Sequence, residues 1–409
     1  MPTADSATPR SVVVIGAGLA GARTVAALRT HGFEGPVTLL GDEGVPPYDR
    51  PPLSKELFTR SEPAWLADEL GADVTSLADT RLAARATRLE VHDAGVHVTT
   101  DDGDVQADAV VIAVGSRAVS PWPTALTLHS AADADRLRDR LRPGSRLVIV
   151  GAGWVGAEVA GVAAARDVDV TVVEAAATPL ARQLGDIGVR TVPWYSDAGV
   201  SLRLATPVLD VDAGGVTTAA GRLDADTVLA AVGARPATAW LGLDLTADGR
   251  VPVDAAGRWL SDAPWETRRR VWAVGDCAAR PHPVFGAVPG GHWSSALTDP
   301  EASVLEMLGR SQTRPTTPYV FSRQLGHDLA FFGVRHGDED VVVRPLASGW
   351  AALYLMPEDG PRRVLRAAVV ADSPRDVVGL RRLLGRPGAV EVDLDRAVDP
   401  GVRWRDLAP

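Results

Sequence analysis

SVVVIGAGLAGARTVAALRTHGFEGPVTLLGDE, residues Ser11 to Glu43, reads as an apolar strand, a glycine turn, an alanine-rich helix and a second strand ending on two acids. Gly16, Gly18 and Gly21 keep the spacing G-x-G-x-x-G. That spacing has a mechanical meaning. The first Gly makes a tight turn, the second lets the backbone approach a pyrophosphate, and the third lets helix and strand pack closely. The pyrophosphate then rests on the positive helix N-terminus, and an acid about 20 residues later accepts hydrogen bonds from a ribose diol. Asp42 and Glu43 stand at that place. A single glycine turn is a weak signal, because glycine-rich loops arise for other reasons.

The pattern returns in SRLVIVGAGWVGAEVAGVAAARDVDVTVVEAA, Ser145 to Ala176, with Gly151, Gly153, Gly156 and the acid Glu174. Two complete units with acids in register predict two dinucleotide sites and two Rossmann-like α/β domains. The bulk composition is compatible with this. A chain of 409 residues suggests two to four domains, and 46% hydrophobic with 23% charged residues is the composition of a soluble globular protein. A formal net charge of −10 argues against general nucleic-acid binding. TRRRVW, Thr267 to Trp272, is a local basic cluster and reads as a solvated face.

The first ten residues, MPTADSATPR, lack the apolar run of a signal peptide, and SVVVIGAGLAG is too short and glycine-broken to cross a bilayer. A frayed tail and no membrane segment are the expectation. The single cysteine, Cys277, rules out an internal disulfide and any C-x-x-C redox or zinc motif, so a reducing cytoplasm is the expected address. Cys277 itself reads as a small buried residue. The eight histidines show no metal-ligand spacing, and no metal site is expected.

Lys55, in YDRPPLSKE, is the only lysine; every other basic position of the 42 is arginine. Arginine serves wherever a solvated positive charge suffices, but it cannot supply a compact ammonium with a perturbable pKa. Composition alone leaves chance and chemistry both open.

Together, GAGLAG, YDRPPLSKE, GAGWVGAEVA, AVGARP and VWAVGDCA, in that order, resemble the two-dinucleotide flavoprotein family that includes rubredoxin and ferredoxin reductases and oxidoreductases similar to apoptosis-inducing factor. The resemblance covers the chain from about Ser11 onward. It implies FAD in the first site and a nicotinamide nucleotide in the second, with Gly275 and Asp276 at the FAD ribitol and Arg50 and Arg117 near the FAD. It also implies a discontinuous FAD domain, 10–120 and 247–315, interrupted by an NAD domain, 121–246. A C-terminal α+β domain, 316–409, follows, with strands in DVVVRPL and RRVLRAAVVA and a helix in SPRDVVGLRRLLG capped by Ser373.

In this family the lysine of the PPLSK motif lies beside flavin N5 and pairs with a glutamate in the first turn of the NAD-binding helix. The matching residues are Lys55 and Glu158. Hydride arriving at N5 develops negative charge on the flavin, which a nearby cation stabilises. A glutamate within reach keeps a buried lysine charged. Glu174, followed by three alanines, favours NADH over NADPH, because an acid repels a 2′-phosphate; Arg182 is the nearest base.

Without a dithiol, electrons must leave the flavin for a one-electron carrier, oxygen or a small acceptor. The resemblance implies an NADH:ferredoxin oxidoreductase that passes single electrons to an iron–sulfur ferredoxin supplying a monooxygenase or dioxygenase. Two segments depart from the family pattern. GGHWSSA keeps Trp293 but carries Gly291 where Glu is usual, and PYVFSRQLGHD carries Phe321 for Trp and Arg323 for Asp. Trp293 and Phe321 are expected to pack about the flavin or nicotinamide, and Arg323 to reverse the charge at the rim. Two alternatives follow: an NADH oxidase or reductase of a small molecule or quinone, and an NADH-sensing flavoprotein resembling apoptosis-inducing factor. Monomer and homodimer both remain open.

Overall fold

A computed structural model describes residues 8–71, 73–310, 316–357 and 360–408. The tail reading of residues 1–7 and the boundary at residue 315 lie outside the described residues. The chain divides into two compact units. The first holds the chain up to Asp49, Ala64–Arg117 and Arg235–Pro318; the second holds Arg50–Pro63, Ala118–Ala234 and the chain from Tyr319 on.

The first unit is built on a five-stranded parallel sheet in the order Val271–Ala273, Ala109–Ile112, Val12–Ile15, Val37–Leu40, Asp79–Arg81. Its central strand, VVVI, is a β-branched run buried on both sides, as a parallel strand under two covering layers must be. Alternation sorts the side chains. Val12 and Val14 pack with helix residues Val25 and Leu28, whereas Val13 and Ile15 pack with Val96 and Val98 on the other face. Helices Leu19–Thr30 and Trp293–Met307 supply the first cover. An antiparallel meander of Ala86–His92, Gly95–Thr100 and Val105–Ala107 supplies the second.

The second unit repeats this plan. Ser201–Arg203, Asp169–Val173, Arg146–Val150 and Thr227–Ala230 form a four-stranded parallel sheet in that order. A meander of Val208–Asp212, Gly215–Thr218 and Gly221–Asp224 again covers one face. The other face packs against helix Trp154–Ala164. The sequence repeat therefore extends beyond the glycine turns to the meanders, which the fingerprint reading did not include.

The same unit carries a six-stranded antiparallel sheet. Tyr319–Gln324, His327–Gly333, Arg362–Ala371, Trp350–Leu355 and Asp340–Pro345 lie in that order, and Glu391–Asp393 pairs with Arg362–Ala371. Leu329, Phe331, Tyr354 and Val369 of this sheet share one apolar cluster with Leu147 and Ile149 of the parallel sheet and Ala160 of the helix that covers it. Separate sheets thus form one compact unit through a common core. The helix Pro374–Leu384 begins after Ser373. The Ser373 hydroxyl donates to the Asp376 carboxylate and accepts from no backbone N–H of the helix, so Ser373 holds the cap position without the expected cap bond.

Strands Tyr319–Gln324 and His327–Gly333 are joined by Leu325 and Gly326, both at positive φ (+54° and +86°). Two residues at positive φ give the turn whose twist suits a hairpin. Leu325 is a strained choice there, but it is buried and seats its backbone on Gly161, where an added Cβ would stand 2.6 Å from the Leu325 nitrogen.

Candidate functional site

The two glycine turns are nearly superposable in their chemistry. Gly16 and Gly151 have φ of +113° and +107°, and a Cβ on either would strike a backbone oxygen, of Ala113 at 2.3 Å and of Ala231 at 2.5 Å. On Gly21 and Gly156 it would strike the Gly16 and Gly151 oxygens at 1.8 and 2.1 Å. On Gly18 and Gly153 it would meet nothing within 4 Å. The first and third glycines are demanded by the fold. The second is demanded by nothing in the protein, as expected of a position kept bare for a ligand. Both following helices start without a side-chain cap and without an acid in the first turn, and Glu158, expected in the first turn, is instead the fifth residue of its helix and so stands at the start of the second. Their N-terminal N–H groups are suited to an anion.

In the first unit, Asp42 receives Arg117 at 2.8 Å and lies 3.5 Å from Arg85. Glu43 accepts the Tyr48 hydroxyl at 2.5 Å. Asp276 follows Gly275, which bends at φ +71°. Its carboxylate accepts the Ser116 hydroxyl at 3.2 Å and the Gly291 N–H at 2.8 Å. Gly291 sits at φ +92°, in the left-handed region that a glutamate would occupy only under strain. This accounts for the departure at 291: the bend that delivers its N–H to Asp276 favours glycine. Trp293, 37% exposed, donates its indole N–H to Asp49 at 2.9 Å.

Cys277 is buried, and its S–H points at the Val274 and Ile112 carbonyls at 3.3 and 3.4 Å. Burial pushes the thiol up to about 11. It should not react with a thiol reagent in the folded protein, and one equivalent should appear on unfolding in guanidinium; rapid titration of the native protein would contradict this assignment.

In the second unit, Glu174 accepts the Ala152 N–H at 2.7 Å on one oxygen and the Ala176 N–H at 2.8 Å on the other. Each carboxylate oxygen has two acceptor sites, so a ribose diol can still bind. Arg50 also belongs to this unit and donates to the His129 carbonyl.

Lys55 and Glu158 meet here. The helix Pro52–Lys55 brings the Lys55 Nζ to 2.9 Å from the Glu158 Oε1. Glu158, 3% exposed, lies among Ala157, Val159 and Ala160 of its helix. Two hydroxyls complete it: Ser322 donates to Oε1 at 2.5 Å and Ser54 donates to Oε2. A buried carboxylate with three donors is fully compensated. An ammonium has three donors, and among the described residues Glu158 is Lys55's one partner. It can therefore serve a second acceptor without leaving the glutamate.

Ser54 and Ser322 escaped the sequence reading. Ser54 directly precedes Lys55, and Ser322 stands between the two altered residues Phe321 and Arg323, which was the available signal. Ser322→Ala removes one donor from a buried carboxylate and should lower stability by about 1–3 kcal/mol, read as a fall in thermal midpoint. A midpoint equal to wild type would show that the hydroxyl is dispensable.

On the same strand Phe321 is 42% exposed. Arg323 faces Asp328 across the hairpin and binds it through Nε at 2.8 Å and Nη2 at 3.2 Å. The expected reversal of charge at this rim is thereby corrected: the arginine comes with its own carboxylate. Among the described residues no group of three His, Cys, Asp or Glu could hold a metal ion, and no helix is long and apolar enough to cross a membrane.

A family model described as pyridine nucleotide-disulphide oxidoreductase matches residues 10–292. The chain is 32% identical to the ferredoxin–NAD(+) reductase subunit of a benzene 1,2-dioxygenase system from Pseudomonas putida, over 97% of each chain. It is 31% identical to rhodocoxin reductase from Rhodococcus erythropolis, over 91% of this chain and 89% of that one. Among solved structures, Fdr9 aligns with a TM-score of 0.85 at 35% identity, over 98% of this chain and 100% of that one.

Proposed function

Since the chain belongs to the pyridine nucleotide-disulphide oxidoreductase family, we propose that it is an FAD-dependent NADH:ferredoxin oxidoreductase supplying electrons to an oxygenase. The observation that carries this reading is a charged lysine held by a buried glutamate and two serines, in a chain whose single cysteine cannot form a dithiol. The names of relatives that serve dioxygenase systems support the ferredoxin and the oxygenase as partners.

When bound, FAD accepts a hydride from NADH and returns the electrons singly. Gly16, Gly18 and Gly21 with the helix Leu19–Thr30 hold its pyrophosphate; Asp42 and Glu43 hold its ribose, with Arg117 fixing Asp42. Gly275 and Asp276 receive the ribitol, and Arg50 contributes from its own segment. Gly151, Gly153 and Gly156 hold NADH, and Glu174 selects the free ribose diol against a 2′-phosphate. Lys55 supplies positive charge where hydride transfer builds negative charge. Glu158 holds that ammonium in place. Trp293 and Phe321 offer exposed aromatic faces for the flavin or nicotinamide. The same reading assigns 10–120 with 247–315 to FAD, 121–246 to NAD, and 316–409 to an α+β interface or lid domain, in a cytoplasmic protein.

The test is NADH-driven cytochrome c reduction by the flavin-loaded protein, with and without a ferredoxin from the same organism. A rate that appears only with ferredoxin supports the reading. Rapid flavin reduction with no gain from ferredoxin overturns it in favour of oxygen, a quinone or a small substrate as acceptor.

A further inference from the structure

The basic cluster TRRRVW is not a solvated face. With Arg10, Asp108 and Glu306, Arg269 and Arg270 line a cavity of about 250 Å³ in the first unit. Arg10, Asp108 and Arg270 precede the strands Val12–Ile15, Ala109–Ile112 and Val271–Ala273, so the cavity opens at the amino ends of the parallel sheet. The glycine turn follows the carboxyl end of the first of these strands. Four residues at about 3.3 Å each separate the two ends by about 13 Å. The cavity is thus distinct from the dinucleotide site.

Arg258 is the unusual member. Its guanidinium lies over both the Trp265 and Trp272 rings, 4.9 and 4.8 Å from their centroids, and the side chain is 15% exposed. Its nearest acids, Asp254 and Glu306, are 3.8 and 3.7 Å away, beyond hydrogen-bonding reach. No side-chain nitrogen of Arg258 makes a hydrogen bond among the described residues, and its Nε is buried without a partner. The Nε of Arg270 and the indole N–H of Trp272 are buried and unpartnered as well. The other guanidinium groups are engaged: Arg10 with Asp108, Arg269 with Glu266, and the Arg270 termini with the Asp108 and Asp93 carbonyls. Buried charged donors without acceptors are costly. The lining itself carries four arginines and two acids, Asp108 and Glu306, while Asp254 and Glu266 reach Arg258 and Arg269 from beside it.

We propose that this cavity is an accessory site for a small oxyanion, the phosphate or carboxylate of a metabolite, with Arg258 as the principal donor. The planar fork of arginine matches two oxygens of such a group. The two indole rings hold that fork in place, and Glu306, facing Arg258 from the same cavity, opposes the incoming charge.

The test is calorimetric titration of the protein with FAD and NAD(+) in excess, so that the glycine turns are filled. Sodium phosphate and sodium succinate are the two probes, each at ionic strength matched with sodium chloride. One of them should bind saturably at one site with a Kd below about 1 mM, identifying phosphate or carboxylate as the group. Arg258→Met should weaken that binding at least tenfold while flavin reduction by NADH is unchanged. Glu306→Gln should tighten it several-fold, a gain that misfolding cannot mimic. No saturable heat with either anion, or affinities unaltered in both variants, would overturn the proposal.

Discussion

Flavin reduction by NADH in Lys55→Met should be slower by about 100-fold or more, the usual loss when one donor aimed at developing charge is removed. Anaerobic rapid mixing, following the bleaching of the flavin, measures it directly. Lys55→Arg should not restore the rate, because a planar fork cannot place a compact ammonium at the same point. Stability and rate separate here. In Lys55→Met the Glu158 carboxylate keeps only Ser54 and Ser322. Uncompensated buried charge costs about 3–5 kcal/mol, reduced here because Lys55 retains 18% exposure. The double variant Lys55→Met with Glu158→Gln should recover much of that stability and none of the rate. A Lys55→Met rate within about threefold of wild type would remove the lysine from the chemistry.

The second large effect contrasts two neighbouring glycines. Gly156→Ala forces a Cβ to within 2.1 Å of the Gly151 oxygen, so helix and strand must part, and the variant should lose several kcal/mol of stability. Gly153→Ala meets no protein atom, and its φ of −80° suits alanine. Its thermal midpoint should match wild type, while the KM for NADH rises roughly tenfold, equivalent to about 1.4 kcal/mol. Steady-state kinetics and a melting curve on the two proteins decide the matter. If Gly153→Ala left KM unchanged, the bare position would have no role in nucleotide approach.

These features were legible because their causes are local. A glycine turn, its helix and its acid are fixed within some thirty residues, and the Lys55 motif is read in one glance along the chain. The meanders were legible too: DAGVHVTTDDGDVQADAVVIAVG, Asp93 to Gly115, and DAGGVTTAAGRLDADTVLAAVG, Asp212 to Gly233, are plainly alike. Their strands are short, and that hid the match. What the sequence did not disclose is long-range. Ser322 reaches Glu158 across 164 positions, and its place between the altered residues Phe321 and Arg323 marks the segment without naming the partner. Arg323 was readable as a charge reversal, but its neutralising partner Asp328 becomes adjacent only through a turn that places Leu325 at positive φ, a residue type that seldom adopts it. The arginine cluster was misread for a similar reason. Arg10 and Asp108 join Arg269 and Arg270 only once the strands that they precede have paired in the first sheet.

The isolation of Lys55 has a practical side. The protein owns a single side-chain amine, and that amine is engaged with Glu158. Acylating reagents, aldehyde fixatives and amine-coupled sensor surfaces therefore have one side-chain target besides the N-terminal amine, and under the proposed function that target is the residue beside the flavin. A dye or tether placed on Lys55 would report, or abolish, the activity itself, whereas labelling through an introduced surface cysteine would leave it untouched.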